Sequence, residues 1–316
     1  MNLHMVDAPV PKPAGNEVRV RVRATSVNDW DWGIVRGRPA FMRLFYGLTQ
    51  PKIRIPGVDV AGVVDAVGDG VQDLKPGDSV YGDLSDSGFG GFAEYVCAPA
   101  SAFTAKPDSM SFEHAAAMPH AAMLALQGLE TFGVLNPETR LLVNGAGGGV
   151  GSLCPAIARH FGIRDVTGVD HSDKLESMRQ QGYSAVLDYT QSDFTALGQT
   201  WDCILDTRST RPPSHYLRAL TRGGRYCTVG GDTGRLLQLV TWGKLVAWLR
   251  KKHVGVLALH PNKGMDRFAT IWETGTIRPL IDGPYPLAEL PAALHRFGDA
   301  KHQGKIVITV DSDTRR

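Results

Sequence analysis

Seven consecutive residues, Gly145-Ala146-Gly147-Gly148-Gly149-Val150-Gly151, carry the most specific chemistry in this chain of 316 residues. The apolar run Leu141-Leu142-Val143 precedes them, and a helical pattern starts within them and runs on to Gly162. A turn without side chains lets the backbone approach a pyrophosphate, and the helix N-terminus then offers free N–H groups and partial positive charge to that anion. Asp170 ends the next apolar run, 19 residues after Gly151. That spacing suits an acid that accepts hydrogen bonds from an adenosine ribose and repels a 2′-phosphate. The pattern therefore points to NAD or NADP, with NAD favoured by Asp170. Lys174 and Arg179 follow closely. They are read either as solvated helix residues or as groups able to approach a 2′-phosphate.

The elements that must hold these groups are legible around them. Residues 17–24, EVRVRVRA, alternate so that Val18, Val20, Val22 and Ala24 share one strand face and the arginines the other. GVDVAGVVDAVG, PGDSVYG and GFAEYVCAP continue as short strands broken by Gly, Pro and Asp. From Ser111 the pattern turns helical, and Pro119 predicts a break into two helices. Beyond it strands alternate with helices, the arrangement of a doubly wound parallel sheet. PPSHYLRALTRGG reads as one of those helices, started by Pro and closed by Gly. Pro155 predicts a small kink or a 3₁₀ start in the helix after the glycine turn. The apolar stretch from Leu236 to Leu259, broken by Lys244 and by Arg250 to His253, reads as a helix with a basic end followed by a strand. Core or subunit packing is preferred there over a membrane-surface role. The pattern is β-rich over 1–110 and alternating over 111–260, and the tail over 261–316 adds one helix and one strand.

Composition narrows the function classes. Lys plus Arg is 34 against 32 for Asp plus Glu, so the formal charge of +2 gives no footprint for nucleic acid. No apolar run reaches the roughly 18 residues of a membrane span, and no membrane insertion is expected. The four cysteines, Cys97, Cys154, Cys203 and Cys227, are scattered and form no CxxC pair. They read as small buried thiols of a reducing compartment. With no secretory pattern at the N-terminus, a cytoplasmic location is expected.

The stretches PGVDVAGVVDAVGDGVQDLKPGDSVYG, GGFAEYV, LLVNGAGGGVGS, AVLDYTQSDFT and YPLAELPAALHRF with GKIVITV resemble the medium-chain dehydrogenase/reductase superfamily, and within it the zinc-free quinone oxidoreductase branch. The resemblance spans nearly the whole chain. It implies a GroES-like barrel domain built from both chain ends, 1–110 and 261–316, and flanking a Rossmann domain over 111–260. It also implies an active site in the cleft between the two, and homodimers paired through Rossmann sheet edges. It completes the cofactor-binding set of Gly145, Ala146, Gly148, Gly149, Val150, Gly151 and Asp170 with His171, Lys174, Tyr189 and Gly230. Members usually begin with a strand pair ahead of the segment matched by LHMVDAPVPKP. The first ~15–20 residues of that pattern, two strands of ordinary length, are unmatched in this sequence, and the expectation is either a barrel that has lost an edge or a true start that lies upstream.

Zinc-dependent relatives place ligands at positions matched here by Asn28, by Val58 with Asp59, and by His120. Valine cannot ligate, and His120 with Asp59 is an incomplete set for a catalytic zinc, so none is expected. The implied activity is NAD(P)H-dependent transfer of a hydride to a quinone or an α,β-unsaturated carbonyl, with a donor at the carbonyl oxygen where charge develops. Candidate donors are Asn28, Tyr46 and His120. His120 is read either as a proton donor or as a buried histidine tied to a backbone carbonyl. Asn28 either acts in catalysis or caps a turn. Tyr46 reads first as a cleft-wall aromatic. Trp30, Trp32, Phe41, Phe45 and Trp242 are either core or the lining of a flat pocket. An alcohol dehydrogenase or aldehyde reductase is an alternative that the missing ligands disfavour. A cofactor-binding regulatory or structural protein without turnover is another.

Overall fold

The computed structural model describes residues 3–38, 43, 46–47 and 51–310. Phe41 and Phe45 lie outside the described residues. The chain divides into two compact units, Met1–His120 with His260–Arg316, and Ala121–Leu259. The first unit therefore takes in the segment 111–120, which sequence alone assigns to the second. The reason is that helix α2 (Phe112–Ala116) packs on strands β1 (Glu17–Ser26) and β2 (Asp59–Val67).

In the first unit β1 is the central strand. It pairs antiparallel with β2 along its length, with β4 (Tyr95–Pro99) over its first half, and with β13 (Lys305–Thr309) over its last residues. Two register shifts, at Arg19/Val20 and Val22/Ala24, bend the strand so that it can serve both partners. β3 (Ser79–Asp83) and β5 (Thr104–Ala105) extend the sheet on one side and β12 (Ile281–Pro286) on the other. Val18, Val20 and Val22 are buried with Val60, Val64, Val80, Leu84 and Val96, as the alternation in EVRVRVRA requires. A second apolar cluster joins Val27, Leu290, Leu294, Ile306 and Ile308 under helices α1 (Asp29–Arg36) and α10 (Leu290–Gly298). Residues 3–14 contain no strand.

The second unit is a six-stranded sheet, all of it parallel, in the order β11-β10-β9-β6-β7-β8. These strands are β6 (Arg140–Asn144), β7 (Asp165–Asp170), β8 (Ala185–Asp188), β9 (Trp201–Asp206), β10 (Leu220–Thr228) and β11 (His253–Val256). Strand order reverses at β6, which lies between β7 and β9. In open parallel sheets ligands bind at such a reversal, outside the carboxyl ends of the strands. Leu142, Val169, Ile204, Phe194, Trp201, Tyr216 and Tyr226 fill one face of the core.

Three local expectations meet the structure differently. Pro119 does break the helical segment: α2 ends at Ala116, and α3 (Pro119–Glu130) opens on the proline. Pro155 does not give its helix a 3₁₀ start, and α4 (Gly149–His160) is a single α-helix across it. The Gly151 carbonyl, four residues back, loses its intrahelical donor to the proline, but the Tyr183 hydroxyl donates to it at 2.6 Å. An acceptor that the proline would orphan is thereby satisfied. The PPSHYLRALTRGG helix is shorter than its pattern: α6 (Pro213–Arg218) stops early, and β10 already begins at Leu220. Gly223, at φ +83°, lies within a register break in β10 rather than at a helix end.

Candidate active site and dinucleotide site

The glycine turn joins β6 to α4. Gly145 has a φ of +82°, and a Cβ there would lie 2.0 Å from Thr207 Oγ1. A Cβ at Gly151 would lie 2.3 Å from the Gly145 carbonyl oxygen and 2.5 Å from Ala146 Cα. Both positions therefore need glycine to let the turn fold under the helix. Gly148 is the N-cap, with no side chain to cap the helix, and Gly149 and Val150 open its first turn. The first amides of α4 are thus available to an outside acceptor. These features fit the diphosphate of a dinucleotide.

Asp170 stands at the end of β7, as its spacing requires. Gly147 N–H donates to its Oδ2 at 2.8 Å, His171 N–H donates to its Oδ1 at 2.8 Å, and Lys174 Nζ lies 3.5 Å from Oδ1. Lys174 is buried, not a solvated helix residue, and its stem covers Gly147. Tyr189 is half exposed and sits edge-on to His171, ring centroids 5.9 Å apart. Gly230 follows β10, where its carbonyl accepts from Thr228 Oγ1 at 2.6 Å. A Cβ at Gly230 would make only ordinary contact, so close packing does not demand glycine there.

Sequence reasoning missed Asn144 and Asp206, which end β6 and β9 on the two sides of the strand reversal. Asn144 Nδ2 donates to Asp206 Oδ1 at 2.8 Å, and the Tyr226 hydroxyl donates to Oδ2 at 2.7 Å. Burial pushes the Asp206 carboxyl above its ordinary range, partly offset by these donors. The available signal was the register of the two strands: each polar residue closes an apolar run.

In the first unit, the three positions matched to zinc ligands converge on one buried carboxylate. Asp59, fully buried, accepts from Ser26 Oγ at 2.6 Å and from Asn28 Nδ2 at 2.9 Å on Oδ2, and from His120 N–H at 2.8 Å on Oδ1. Lys305, on β13, puts its ammonium 3.1 Å from the same Oδ2 and donates to Asn28 Oδ1. The Asn28 amide is therefore committed at both ends, and it is Asp31 that accepts the Asn28 backbone N–H, at 2.9 Å. Asp31 also accepts from Gly57 N–H at 2.9 Å, and burial raises its carboxyl to about 7. His120 Nδ1 lies 2.7 Å from Asp83 Oδ2, so the ring is held by a carboxylate and not by a backbone carbonyl. That bond and the charge of His120 hold the Asp83 carboxyl below its ordinary value despite burial. Asp31, Asp83 and Lys305 were not singled out from sequence, because each lies in an apolar strand or helix context that gives no hint of convergence.

These donors do not make a zinc site. Val58 offers no ligand atom, and both oxygens of Asp59 are engaged by protein donors, one of them an ammonium. No group of three or more metal-ligating residues occurs among the described residues.

Tyr46 is half-buried, and burial raises its phenol above the ordinary value, so it stays a proton-bearing donor. It stands edge-on to Trp30 at 6.3 Å and to Phe89 at 6.2 Å. Trp32 belongs instead to the packing beneath α1, between Arg36 and His295. Trp242 lies in the other unit and is exposed.

Comparison with known proteins gives a consistent picture. Residues 14–108 match the family described as alcohol dehydrogenase GroES-like domain, and residues 181–308 that described as zinc-binding dehydrogenase. The chain is 30% identical over 317 residues to the chloroplast envelope quinone oxidoreductase homolog of Arabidopsis thaliana, covering 97% of this chain and 93% of that protein. It is 30% identical to the 2-methylene-furan-3-one reductase of Solanum lycopersicum, covering 95% of this chain and 73% of that one. The quinone oxidoreductase structure from Coxiella burnetii superposes with a TM-score of 0.86 at 24% identity, covering 96% of this chain and 94% of that one; it bears on the fold alone.

Proposed function

Since the chain belongs to the medium-chain dehydrogenase/reductase superfamily, we infer that it is an NAD(P)H-dependent oxidoreductase that reduces a quinone or an α,β-unsaturated carbonyl without zinc. The observation that carries this reading is the pairing of a glycine turn fitted to a dinucleotide with a first-unit cluster whose donor set does not fit a catalytic zinc. A bound reduced nicotinamide supplies the hydride. The first turn of α4 receives the diphosphate, and Asp170 receives the adenosine ribose. Asp170 is held rigid by Gly147 N–H and shares its charge with Lys174. A fixed carboxylate whose neighbouring cation is already engaged favours a ribose hydroxyl over a 2′-phosphate, so NADH is the preferred donor.

In the first unit His120 presents a polar ring to the carbonyl oxygen of the acceptor. Tyr46, with Trp30 and Phe89, forms an aromatic wall suited to a flat conjugated substrate. Asn28 acts by holding Asp59 and Lys305 in place, since neither end of its amide is free for substrate.

The protein is read as a homodimer paired through β11, one of the two edge strands of the parallel sheet. On the adjoining helices α7 (Thr233–Gln238) and α8 (Lys244–Leu249), Leu237, Leu245, Trp248 and Leu249 are 59–72% exposed, an apolar area that a subunit contact would cover. The unpaired thiols suit a reducing, cytoplasmic compartment. No described helix is long and apolar enough to cross a membrane.

The test is oxidation of NADH or NADPH by a panel of quinones, enones and aldehydes, with and without a strong chelator, followed by loss of reduced-nicotinamide absorbance. Turnover of quinones or enones that survives chelation is expected. Metal-dependent alcohol oxidation, or no turnover with any acceptor, would overturn the assignment.

A further inference from the structure

We propose that Asp83 is the positioning residue for proton delivery, fixing His120 so that Nε2 is the atom that hands a proton to the carbonyl oxygen of the acceptor. This rests on the reductase reading above. The argument begins with how little freedom the pair has. Asp83 ends β3, fully buried, and its carboxylate is aimed from two sides. Ser85 N–H donates to Oδ1 at 2.7 Å, and Oδ2 meets His120 Nδ1 at 2.7 Å.

The backbone of Asp83 is clamped as well. Asn262 Oδ1 accepts its N–H at 2.8 Å, and Asn262 Nδ2 donates to its carbonyl at 2.8 Å. Asn262 does this from a left-handed conformation, φ +62°, which asparagine tolerates better than most residues. The imidazole is fixed from its own side too, because His120 N–H donates to Asp59 Oδ1 at 2.8 Å.

A carboxylate accepts only, so the proton between the two groups belongs on Nδ1. Nε2 has no partner among the described residues. The side chain is 6% exposed, so the ring lies just beneath the surface of the unit, with one nitrogen committed and one uncommitted. A carboxylate behind the ring also stabilises the imidazolium from which a proton is given.

The step balances. The acceptor gains a hydride at carbon from the reduced nicotinamide and a proton at oxygen from Nε2–H. A quinone becomes a hydroxydienone that carries the added hydrogen on a ring carbon and enolises in water to the hydroquinone, and an enone becomes the enol, which likewise tautomerises in water. His120 is left neutral with its remaining proton on Nδ1, and it regains the other proton from solvent.

The first measurement needs no turnover. Long-range proton–nitrogen spectra of the imidazole rings, with His120 identified among the ten histidines by the spectrum of His120→Gln, should place the proton of the neutral ring on Nδ1. A ring protonated only on Nε2 would overturn the proposal. The second measurement is kinetic. Asp83→Asn should lose about 100-fold or more in kcat, the range of general acid catalysis, with the KM for NADH within about 2-fold. His120→Gln should lose a comparable factor. Active wild type with Asp83→Asn within about 3-fold in kcat would sink the proposal and leave the reductase reading standing. Wild type that binds NADH and reduces no acceptor would sink both. If Asp83→Asn does not fold, the wild-type tautomer decides.

Discussion

Replacing Lys305 by methionine tests the electrostatics of the first unit. Lys305 is 4% exposed, its ammonium has two partners, Asn28 Oδ1 and Asp59 Oδ2, and Asp59 is fully buried. Methionine fills the volume of the stem but leaves Asp59 charged among three neutral donors, Ser26, Asn28 and the His120 N–H. Removing one partner of a buried ion pair costs about 3–5 kcal/mol, against roughly 0–1 for an exposed pair. The three remaining donors place the expected loss near the low end, about 3 kcal/mol. Removing both charges should recover most of it, because an apolar pair of similar volume is often as stable as the ion pair it replaces. Lys305→Met/Asp59→Leu should therefore lie within about 1–2 kcal/mol of wild type, with a coupling energy to match. Urea unfolding followed by tryptophan fluorescence reads all four proteins of the cycle. A loss below about 1 kcal/mol for Lys305→Met would mean that Asp59 is not a buried charge relying on this lysine.

Asp170→Ser should move cofactor preference towards NADPH. At an effective dielectric of about 20, a phosphate charge roughly 5 Å from the carboxylate is repelled by about 3 kcal/mol, or two decades of affinity. Titration with each reduced dinucleotide checks this, and an unchanged NADH/NADPH ratio would show that Asp170 does not face the ribose. Gly151→Ala forces a methyl to 2.3 Å from the Gly145 carbonyl oxygen, and should cost about 1–3 kcal/mol of combined stability and dinucleotide affinity. Calorimetry matching wild type would contradict the close approach. Asp31, raised to about 7, binds a proton in the folded protein that the unfolded chain releases near pH 4. Stability should therefore fall as pH rises from about 4 to 7, by up to roughly 4 kcal/mol for this group. Asp31→Asn should flatten that slope in unfolding experiments across the window, and an identical slope would refute the assignment.

The second unit was the more legible of the two. The glycine turn and Asp170 declare themselves because strand, turn, helix and next strand are contiguous, and their spacing is set by local geometry. The alternation in EVRVRVRA exposes β1 for the same reason. What stayed hidden depends on distant parts of the chain meeting. Lys305 reaches Asn28 across 277 residues, and Asn262 reaches Asp83 across 179. No local pattern marks either. The partner of the carbonyl that Pro155 leaves without a donor was hidden on similar grounds, because the Tyr183 hydroxyl that satisfies Gly151 is 32 residues away. His120 was noticed, yet the partner that gives its ring a direction lies on β3, in a run that reads only as a strand end. That Val58 offers no ligand atom was readable. The ammonium that lies on Asp59 instead was not.

Transfer of label from NADH deuterated at the reactive carbon, with chelator present and an enone as acceptor, tests the whole account in one experiment. The account places deuterium on the β-carbon of a saturated carbonyl product, with a solvent proton at the α-carbon. Label on a carbinol carbon, or none in any product, would contradict it.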